Sequence, residues 1–311
     1  MKKNIVIGTR GSQLALWQAN HVKSLLEKKY GIEVSLNIIK TKGDKIQDVP
    51  LSKVGGKGLF VKEIEEAMLR KEIDLAVHSM KDVPTEFPDG LGLVCILERE
   101  NPFDVFVSNK YSSIKEMKSG DRLGTSSLRR QCQFLKLLPE IKVEFLRGNL
   151  DTRLKKAEEG EYDGIILAAA GMHRMGWKDR ITEYLTQEDC VPAIAQGAIG
   201  IEARLNDKEV IDLLEPFNHT KSSYEVDAER AFLKTLEGGC QVPIGAYAQY
   251  NESDNTIFIE GIIGEPDGSV ILKKSIQGKA EERINLGNKL AQELLSLGGK
   301  EILDRVYKEA I

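Results

Sequence analysis

The sequence predicts an α/β protein with two lobes, each built on a mixed, mostly parallel sheet, and a small C-terminal α+β domain with a three-stranded antiparallel sheet. Short apolar runs alternate with helical patterns through the first two thirds of the chain, which is typical of strand-helix-strand units. A second set of such units begins at residue 100. From residue 218 the pattern changes to apolar runs separated by the turn sequences NESDN and EPDG, which favour antiparallel strands.

Lobe 1, over 1–99 and 200–217, contains the strands NIVIG, VSLNIIKT and IDLAVHSM and the helices SQLALWQANHVKSLLEKKYG and KEIEEAMLRKE. Lobe 2, over 100–199, contains the strands NPFDVFVS, RLGTSS, VEFLR and DGIILAAAG, and the segment CVPAIAQGAIGIEARL crosses back toward lobe 1. The C-terminal domain, 218–311, contains the helix SSYEVDAERAFLKTLE, the strands GAYAQY, TIFIEGIIG and SVILKKSI, and a closing helix over 280–297. Two lobes joined in this way would place a cleft between them.

The composition is that of an ordinary soluble globular protein. The chain has 311 residues, of which 41% are hydrophobic and 30% charged, and its formal net charge is -4. This balance gives no sign of a nucleic-acid or membrane-surface binder. The start, MKKNIVIGTRGSQLALW, lacks the long apolar region of a signal peptide, and no stretch approaches about 18 apolar residues. We therefore expect a cytoplasmic protein.

The four cysteines lie far apart in the sequence and form no paired metal spacing; they are Cys95, Cys132, Cys190 and Cys240. We therefore expect neither a metal site nor a disulfide. Cys240 follows two glycines on a predicted loop, in EGGCQVPIG. Glycines let another molecule approach closely, so this thiol is either a plain structural residue or a functional one.

Three strand-to-helix turns, GTRGS, GTSSLRR and LRGNLDTR, carry arginines beside hydroxyl or small polar groups. The residues concerned are Arg10, Ser12, Thr125, Ser127, Arg129, Arg130, Arg147 and Arg153. Strand ends line the ligand crevice of open α/β sheets, and helix N-termini offer free N–H groups to anions. Any one of these turns is better explained by a solvated arginine and a simple N-cap, but their recurrence at three turns favours a cleft for a polyanion. Cations in the first helical turn oppose the helix dipole, however, so Arg129 and Arg130 require a compensating anion.

A carboxylate follows the buried strand of IDLAVHSMKDVP. Asp82 comes after Ser79 and Lys81 and precedes a proline, so it is either a turn-forming aspartate or a group that stabilises a cation and shuttles protons. His78, inside the apolar run, is interpreted as a packed residue with one hydrogen bond. The segment KVGGKGLF lacks the ending of a phosphate-binding loop. We interpret it as a glycine-rich flap over a ligand, or as a disordered segment.

Together these residues resemble the porphobilinogen deaminase family, also called hydroxymethylbilane synthases. The resemblance spans nearly the whole chain, through GTRGSQLALWQ, TKGD, GGKGLFVKE, AVHSMKDVP, GTSSLRR, RGNLDTRL, PAIAQGAIGIE and ERAFLKTLEGGCQVPIG. It implies lobes shaped like those of a periplasmic binding protein and a third domain that carries the cysteine. It also implies that Cys240 holds a dipyrromethane cofactor through a thioether and that Asp82 is the catalytic aspartate.

The activity implied by the resemblance is that of a transferase in tetrapyrrole biosynthesis. It deaminates porphobilinogen, condenses four molecules in turn onto the dipyrromethane primer, and releases hydroxymethylbilane by hydrolysis. The implied cofactor-binding residues are Ser79, Lys81, Thr125, Ser127, Arg129, Arg130, Arg147 and Arg153. The implied substrate-binding residues are Arg10, Ser12, Gln18, Lys57, Phe60, Arg174 and Gln196. One departure is Ala195, where many members have glycine, so that hinge flexibility is reduced at this position.

Porphobilinogen is thus the expected partner, with no metal, nucleic acid or membrane. The resemblance further implies a monomer, with a possible hand-over of product to the next enzyme of the pathway. The main alternative is a binding module for small anions, which would need neither Cys240 nor Asp82. An RNA-binding protein fits poorly with the acidic balance of the chain.

Overall fold

The protein is represented by a computed structural model, which describes residues 2–45, 58–237 and 242–309. The chain forms two compact units. Unit 1 comprises Met1–Asp48, Gly56–Glu100 and Ala198–Ser223, and unit 2 comprises Val49–Gly55, Asn101–Gly197 and Tyr224–Ile311, as far as these are described. Unit 2 contains two separate sheets, which correspond to the predicted lobe 2 and C-terminal domain. The division into two units does not test the boundary between these two, so the three predicted domains stay a prediction.

The described residues form thirteen strands and ten α-helices, numbered here in chain order. The strands are β1 (Asn4–Thr9), β2 (Glu33–Ile38), β3 (Leu75–Ser79), β4 (Leu91–Ile96), β5 (Asp104–Val107), β6 (Arg122–Gly124), β7 (Lys142–Glu144), β8 (Gly164–Ala168), β9 (Glu183–Tyr184), β10 (Ile199–Arg204), β11 (Ile244–Asn251), β12 (Thr256–Gly264) and β13 (Ile271–Lys279). The helices are α1 (Gln13–Tyr30), α2 (Lys42–Lys45), α3 (Lys62–Leu69), α4 (Leu128–Leu137), α5 (Leu150–Glu158), α6 (Ala169–Arg174), α7 (Lys208–Leu214), α8 (Thr220–Thr235), α9 (Arg283–Leu294) and α10 (Lys300–Glu309). Within the described residues, no helix has the length and hydropathy needed to span a membrane.

The sheet of unit 1 has the strand order β2-β1-β3-β10-β4. Strand β1 is parallel to β2 and β3, whereas β10 is antiparallel to both of its neighbours. Four of the five strands therefore run the same way. Apolar side chains fill both faces, with Val22 and Leu26 of α1 in one cluster and Ile64 and Met68 of α3 in another. This burial fixes β3, whose carboxyl end leads to Asp82.

Unit 2 repeats this plan in its first sheet, with the order β7-β6-β8-β5-β9. Here β5 is the reversed strand, antiparallel to β8 and β9, while β6 is parallel to β7 and β8. Successive residues of β5 enter different core clusters, Val105 on one face and Phe106 on the other. The second sheet is the antiparallel meander β11-β12-β13. The predicted fold class, with two mixed sheets and a three-stranded antiparallel sheet, is confirmed.

Several elements differ from the prediction. Strands β4 and β9 and helix α7 were not predicted from the sequence. The predicted closing helix is shorter than expected and is followed by another: α9 ends at Leu294, Gly298 adopts a φ of 106°, and α10 begins at Lys300. A glycine adopts this backbone conformation at little steric cost, so Gly298 allows the chain to turn between the two helices.

Candidate active site

The carboxyl end of β3 positions three predicted site residues in unit 1. The strand ends at Ser79, and a short 3-10 turn, Met80–Asp82, follows. Gln18, which is only 2% exposed, donates from Nε2 to Ser79 Oγ at 2.8 Å. The Met80 amide donates to the carbonyl of Ala198 at 3.0 Å. The turn that carries Lys81 and Asp82 is therefore anchored to α1 and to the residue before β10, and Asp82 itself is half-buried.

Arg10 at the end of β1 has two partners in unit 1. Its Nε and Nη2 atoms donate to Asp44 Oδ1 at 3.0 and 2.6 Å, and its guanidinium lies 4.2 Å from the centre of the Phe60 ring. Burial would raise the pKa of Asp44, but the hydrogen bonds and charge of Arg10, together with Thr41, lower it below its usual value. Ser12 caps α1 by accepting from the Ala15 amide at 3.3 Å, as predicted.

The motif TKGD explains how Arg10, Asp44 and Phe60 come together. A Cβ atom added at Gly43 would lie 2.2 Å from the Phe60 ring, so only glycine lets the ring pack here. The Gly43 amide also donates to the Leu59 carbonyl at 2.8 Å. The sequence alone assigns no role to Asp44, and its pairing with Arg10 emerges only from the structure.

In unit 2 the turn before α4 presents hydroxyl groups at a helix N-terminus. Ser127 is the N-cap and accepts from the Arg130 amide at 3.4 Å. Thr125, which is buried, accepts from the Ser127 amide at 3.2 Å. The side chains of both residues therefore order the turn, and the positive end of the helix dipole lies behind it.

Arg129 and Arg130 are buried, at 3% and 6% exposure, and both pair with the fully buried carboxylate of Asp104. Arg129 Nη2 donates to Oδ2 at 2.8 Å, and Arg130 Nη2 donates to Oδ1 at 2.7 Å. Burial would raise the pKa of Asp104, but the two guanidiniums lower it well below its ordinary range. The anion required by these two cations in the first turn of α4 is thus supplied, in part, from within the protein.

The remaining predicted residues of unit 2 also contact backbone carbonyls or lie at element ends. Arg153 Nε, in the second turn of α5, donates to Gly148 O at 2.8 Å. Arg174 Nη2, at the end of α6, donates to Gly197 O at 2.6 Å. Burial lowers the pKa of Arg147, because the charged form loses solvation.

Gln196 and Ala195 lie in the segment that leads to β10. Gln196 is 1% exposed and donates from Nε2 to Pro102 O at 2.7 Å and to Asp104 Oδ1 at 2.9 Å. Ala195 has a φ of 56°, a left-handed conformation that costs a non-glycine residue about 1 kcal/mol. Its amide donates to the buried Glu229 carboxylate at 2.6 Å, which holds this strained backbone in place.

The predicted residues are divided between the two units. Those in unit 1 are Arg10, Ser12, Gln18, Phe60, Ser79, Lys81 and Asp82, and those in unit 2 are Thr125, Ser127, Arg129, Arg130, Arg147, Arg153, Arg174 and Gln196. Lys57 and Cys240 lie outside the described residues. The sequence alone did not indicate the two carboxylates that pair with site arginines: Asp44, which binds Arg10, and Asp104, which binds Arg129 and Arg130.

The donor set of unit 2 fits an anionic cofactor. The Nε atoms of Arg129 and Arg130 are buried and have no hydrogen-bond partner among the described residues, and the cluster holds two guanidiniums for one carboxylate. Arginine forks and helix-end hydroxyls are suited to carboxylate ligands. Acetate and propionate groups on a pyrrole would therefore find excess positive charge behind the turn before α4, although the buried Nε atoms themselves are closed to a ligand.

Comparison with known proteins is consistent with this donor set. Residues 5–212 match the family model described as "Porphobilinogen deaminase, dipyromethane cofactor binding domain", and residues 223–296 match "Porphobilinogen deaminase, C-terminal domain". The chain belongs to the porphobilinogen deaminase family. The porphobilinogen deaminase of Geobacter sulfurreducens is 55% identical over 306 residues, which cover 98% of this chain and 95% of that protein. That of Trichlorobacter lovleyi is 54% identical over 310 residues, which cover 99% and 98% of the two chains.

Among solved structures, the methionine-binding protein MetQ has 13% sequence identity and a TM-score of 0.44, and the match covers 73% of this chain and 95% of that chain. Membership of the porphobilinogen deaminase family makes this chain an enzyme of tetrapyrrole biosynthesis, with hydroxymethylbilane synthase activity and a dipyrromethane cofactor. Porphobilinogen is its substrate.

Proposed function

We propose that Asp82 is the catalytic carboxylate of this deaminase and that Cys240 attaches the cofactor through a thioether. The observation that supports Asp82 is its position on the Met80–Asp82 turn, which directly follows a buried strand and is anchored to Gln18 and Ala198. Because this turn is anchored, its carboxylate can keep one orientation through the successive condensations of porphobilinogen. This is what electrostatic stabilisation of successive cationic states requires.

In this role Asp82 accepts hydrogen bonds from pyrrole N–H groups and stabilises the positive charge that develops as porphobilinogen loses ammonia. The same carboxylate can assist the loss of the proton that restores the aromatic ring after each condensation. When bound, the dipyrromethane supplies the free pyrrole carbon at which the chain grows. Lys81 and Ser79, on the same turn and strand end, bind cofactor carboxylates in this proposal.

The residues of unit 2 hold the negative charge that accumulates with each added pyrrole. Thr125 and Ser127 offer hydroxyls at the start of α4, Arg129 and Arg130 bring positive charge to its first turn, and Arg147 and Arg153 offer guanidiniums near the start of α5. All six bind the cofactor in this proposal. Arg10, Ser12, Gln18, Lys57, Phe60, Arg174 and Gln196 bind substrate. The stacking of Arg10 on Phe60 gives a flat surface of the kind against which a pyrrole ring can pack.

The attachment is tested by intact-mass spectrometry of the purified protein. Wild type should carry excess mass equal to two linked pyrroles, and Cys240→Ser should show the bare polypeptide mass. Cys95→Ser is the matched control, because Cys95 is a buried free cysteine in unit 1 and should keep the adduct. An unmodified wild-type protein that is nonetheless active would refute the attachment.

The role of Asp82 is tested with Asp82→Asn, which keeps size and hydrogen bonding but removes the charge. We expect a folded protein that retains its adduct and loses turnover by at least about a hundredfold. Asp89→Asn serves as control, since this exposed residue lies in the loop before β4. Near-normal turnover by Asp82→Asn would remove Asp82 from the catalytic role.

The proposal extends to assembly and location. The chain acts as a cytoplasmic monomer and can pass its product to the next enzyme of the pathway. Light scattering of the purified protein at working concentration tests the monomer, and a second species at twice the mass of the chain would contradict it.

A further inference from the structure

A single carboxylate joins three side chains that family resemblance assigns to the cofactor or the substrate. Asp104, the first residue of β5, is fully buried. Its Oδ1 accepts from Arg130 and Gln196, and its Oδ2 accepts from Arg129. These partners come from α4 and from the segment before β10, which are distant in sequence. Asp104 thus links two parts of the predicted site in unit 2.

Each of the three partners is also held by a backbone carbonyl. Arg129 Nη1 donates to Val191 O at 2.7 Å, and Arg130 Nη1 donates to Ile166 O at 2.8 Å. Gln196 donates from Nε2 to Pro102 O as well as to Asp104. A side chain held at two points loses its rotational freedom, so its remaining donors keep a fixed direction. Without Asp104, each of these side chains would keep its backbone contact and lose the second contact that fixes its direction.

The cluster also has an unequal charge count. Asp104 contributes one negative charge against the two positive charges of Arg129 and Arg130, which leaves one positive charge in excess within the buried group. Electrostatic interactions are strong where water is excluded. This excess lies next to the turn of Thr125 and Ser127, because Arg130 donates its own amide to Ser127 Oγ.

We propose that Asp104 is a positioning residue for the deaminase reaction: it orients Arg129, Arg130 and Gln196 and limits the positive charge behind the cofactor-binding turn, without itself touching cofactor or substrate. The inference rests on the proposed function of these three residues. Its physical basis is the convergence of these three side chains, together with the Cys190 thiol at 3.6 Å, on one fully buried carboxylate.

The test compares Asp104→Asn, the double variant Asp104→Asn/Arg129→Gln and wild type. The first leaves two buried cations without an anion, and the second restores a single excess charge with neutral groups. We expect Asp104→Asn to lower the thermal midpoint and the double variant to recover much of that loss. A positioning role predicts that Asp104→Asn carries the adduct in at least about tenfold fewer molecules than wild type, or shows a KM for porphobilinogen raised at least about tenfold, because a misplaced contact can have effects of this size or larger. A similar loss in the double variant does not support the role, because that variant also lacks Arg129, a proposed cofactor contact.

Asp121→Asn is the matched control. Asp121 is another well-buried carboxylate of unit 2, at 9% exposure, and it accepts from Lys110 and Tyr111, neither of which is a predicted site residue. It should lose stability but keep the adduct fraction and KM of wild type. All proteins are measured at a temperature where circular dichroism shows them folded.

The outcomes separate the two proposals. If Asp104→Asn is less stable but keeps the wild-type adduct fraction and KM, Asp104 is only structural and the positioning role is overturned. If the double variant regains both stability and the wild-type adduct fraction and KM, charge balance alone matters and orientation does not. An absent adduct in wild type would instead contradict the attachment proposed for Cys240.

Discussion

Unit 1 and unit 2 each bury a group of charged side chains, and the two groups differ in which sign is in excess. In unit 1, Glu65 of α3 interacts with Glu202 of β10 and His78 of β3, and His78 Nε2 lies 3.0 Å from Glu202 Oε2. This acidic cluster contains two carboxyls and one imidazole. In unit 2, the basic cluster contains two guanidiniums, from Arg129 and Arg130, and the single carboxylate of Asp104.

The two clusters shift a carboxyl pKa in opposite directions. Burial raises the pKa of Glu65, the nearby charge of Glu202 raises it further, and His78 offsets this only in part, so the value is about 7. Burial acts in the same sense on Asp104, yet the two guanidiniums reverse it. Depth of burial therefore does not decide whether a carboxyl is charged at neutral pH; the neighbouring groups do. The basic cluster therefore keeps the Asp104 carboxylate ionised, whereas the acidic cluster favours the protonated form of Glu65.

The largest effect is expected from breaking the basic cluster. Asp104→Asn removes the only anion of a buried triad, and the free energy of unfolding should fall by about 3 to 5 kcal/mol. Urea denaturation at pH 7, followed by circular dichroism, measures this loss. A decrease close to that of an exposed substitution would show that Asp104 is not needed to balance the two arginines.

A smaller effect of opposite sign is expected from the acidic cluster. The pKa of Glu65 is about 7 in the folded protein, above its ordinary value of about 4.5. The folded state therefore binds more protons between these values, and stability falls as pH rises from 4.5 to 7. Glu65→Gln cannot ionise, so at pH 8 it should be more stable than wild type by about 2 kcal/mol.

The pH dependence provides the check for Glu65. Thermal midpoints of wild type and Glu65→Gln should converge near pH 5 and separate as pH approaches 8. Glu33→Gln, at an exposed position of β2 in the same unit, should follow the wild-type curve. If Glu65→Gln also follows it, Glu65 is ionised in the folded protein at neutral pH and the contrast between the clusters is lost.

The smallest effect is expected at the half-buried pair of Arg10 and Asp44, whose side chains are more exposed than those of the two buried clusters. Arg10→Lys keeps the charge but loses the two-point donation to Asp44 and the stacking on Phe60, so stability should fall by about 1 kcal/mol. The exposed pair of Arg70 and Glu72 is the control, and Arg70→Ala should leave the thermal midpoint unchanged. Equal midpoints for wild type and Arg10→Lys would show that only full burial matters.

Local patterns were enough to predict most of the fold. Strands β1, β3 and β8 are apolar runs with helical patterns beside them, and the turns NESDN and EPDG separate β11, β12 and β13. Strand β4, LGLVCI, was missed because no helical pattern lies beside it, unlike the other apolar runs, and its place in the sheet depends on pairing with the distant β10, as in Ile96 beside Gly200. Contacts over such separations leave no local signal.

The candidate site was predicted in part for the same reason. The helix dipole indicated that Arg129 and Arg130 need an anion, but the sequence did not show that the protein supplies one. Asp104 looks like one polar residue in the apolar run NPFDVFVS. It lies 92 positions from Gln196, and only the pairing of the strands and the packing of α4 bring these residues together.

The position of β10 also bears on how the protein is made. This strand lies between β3 and β4 in the sheet of unit 1, yet in sequence it follows all five strands of the first sheet of unit 2. During translation, β3 and β4 are therefore synthesised before their partner strand, and the edges that pair with β10 stay unpaired until residues 199–204 have been made. Exposed strand edges invite pairing with other chains, so a growing polypeptide is open to aggregation over this interval, and chaperone binding there would protect it.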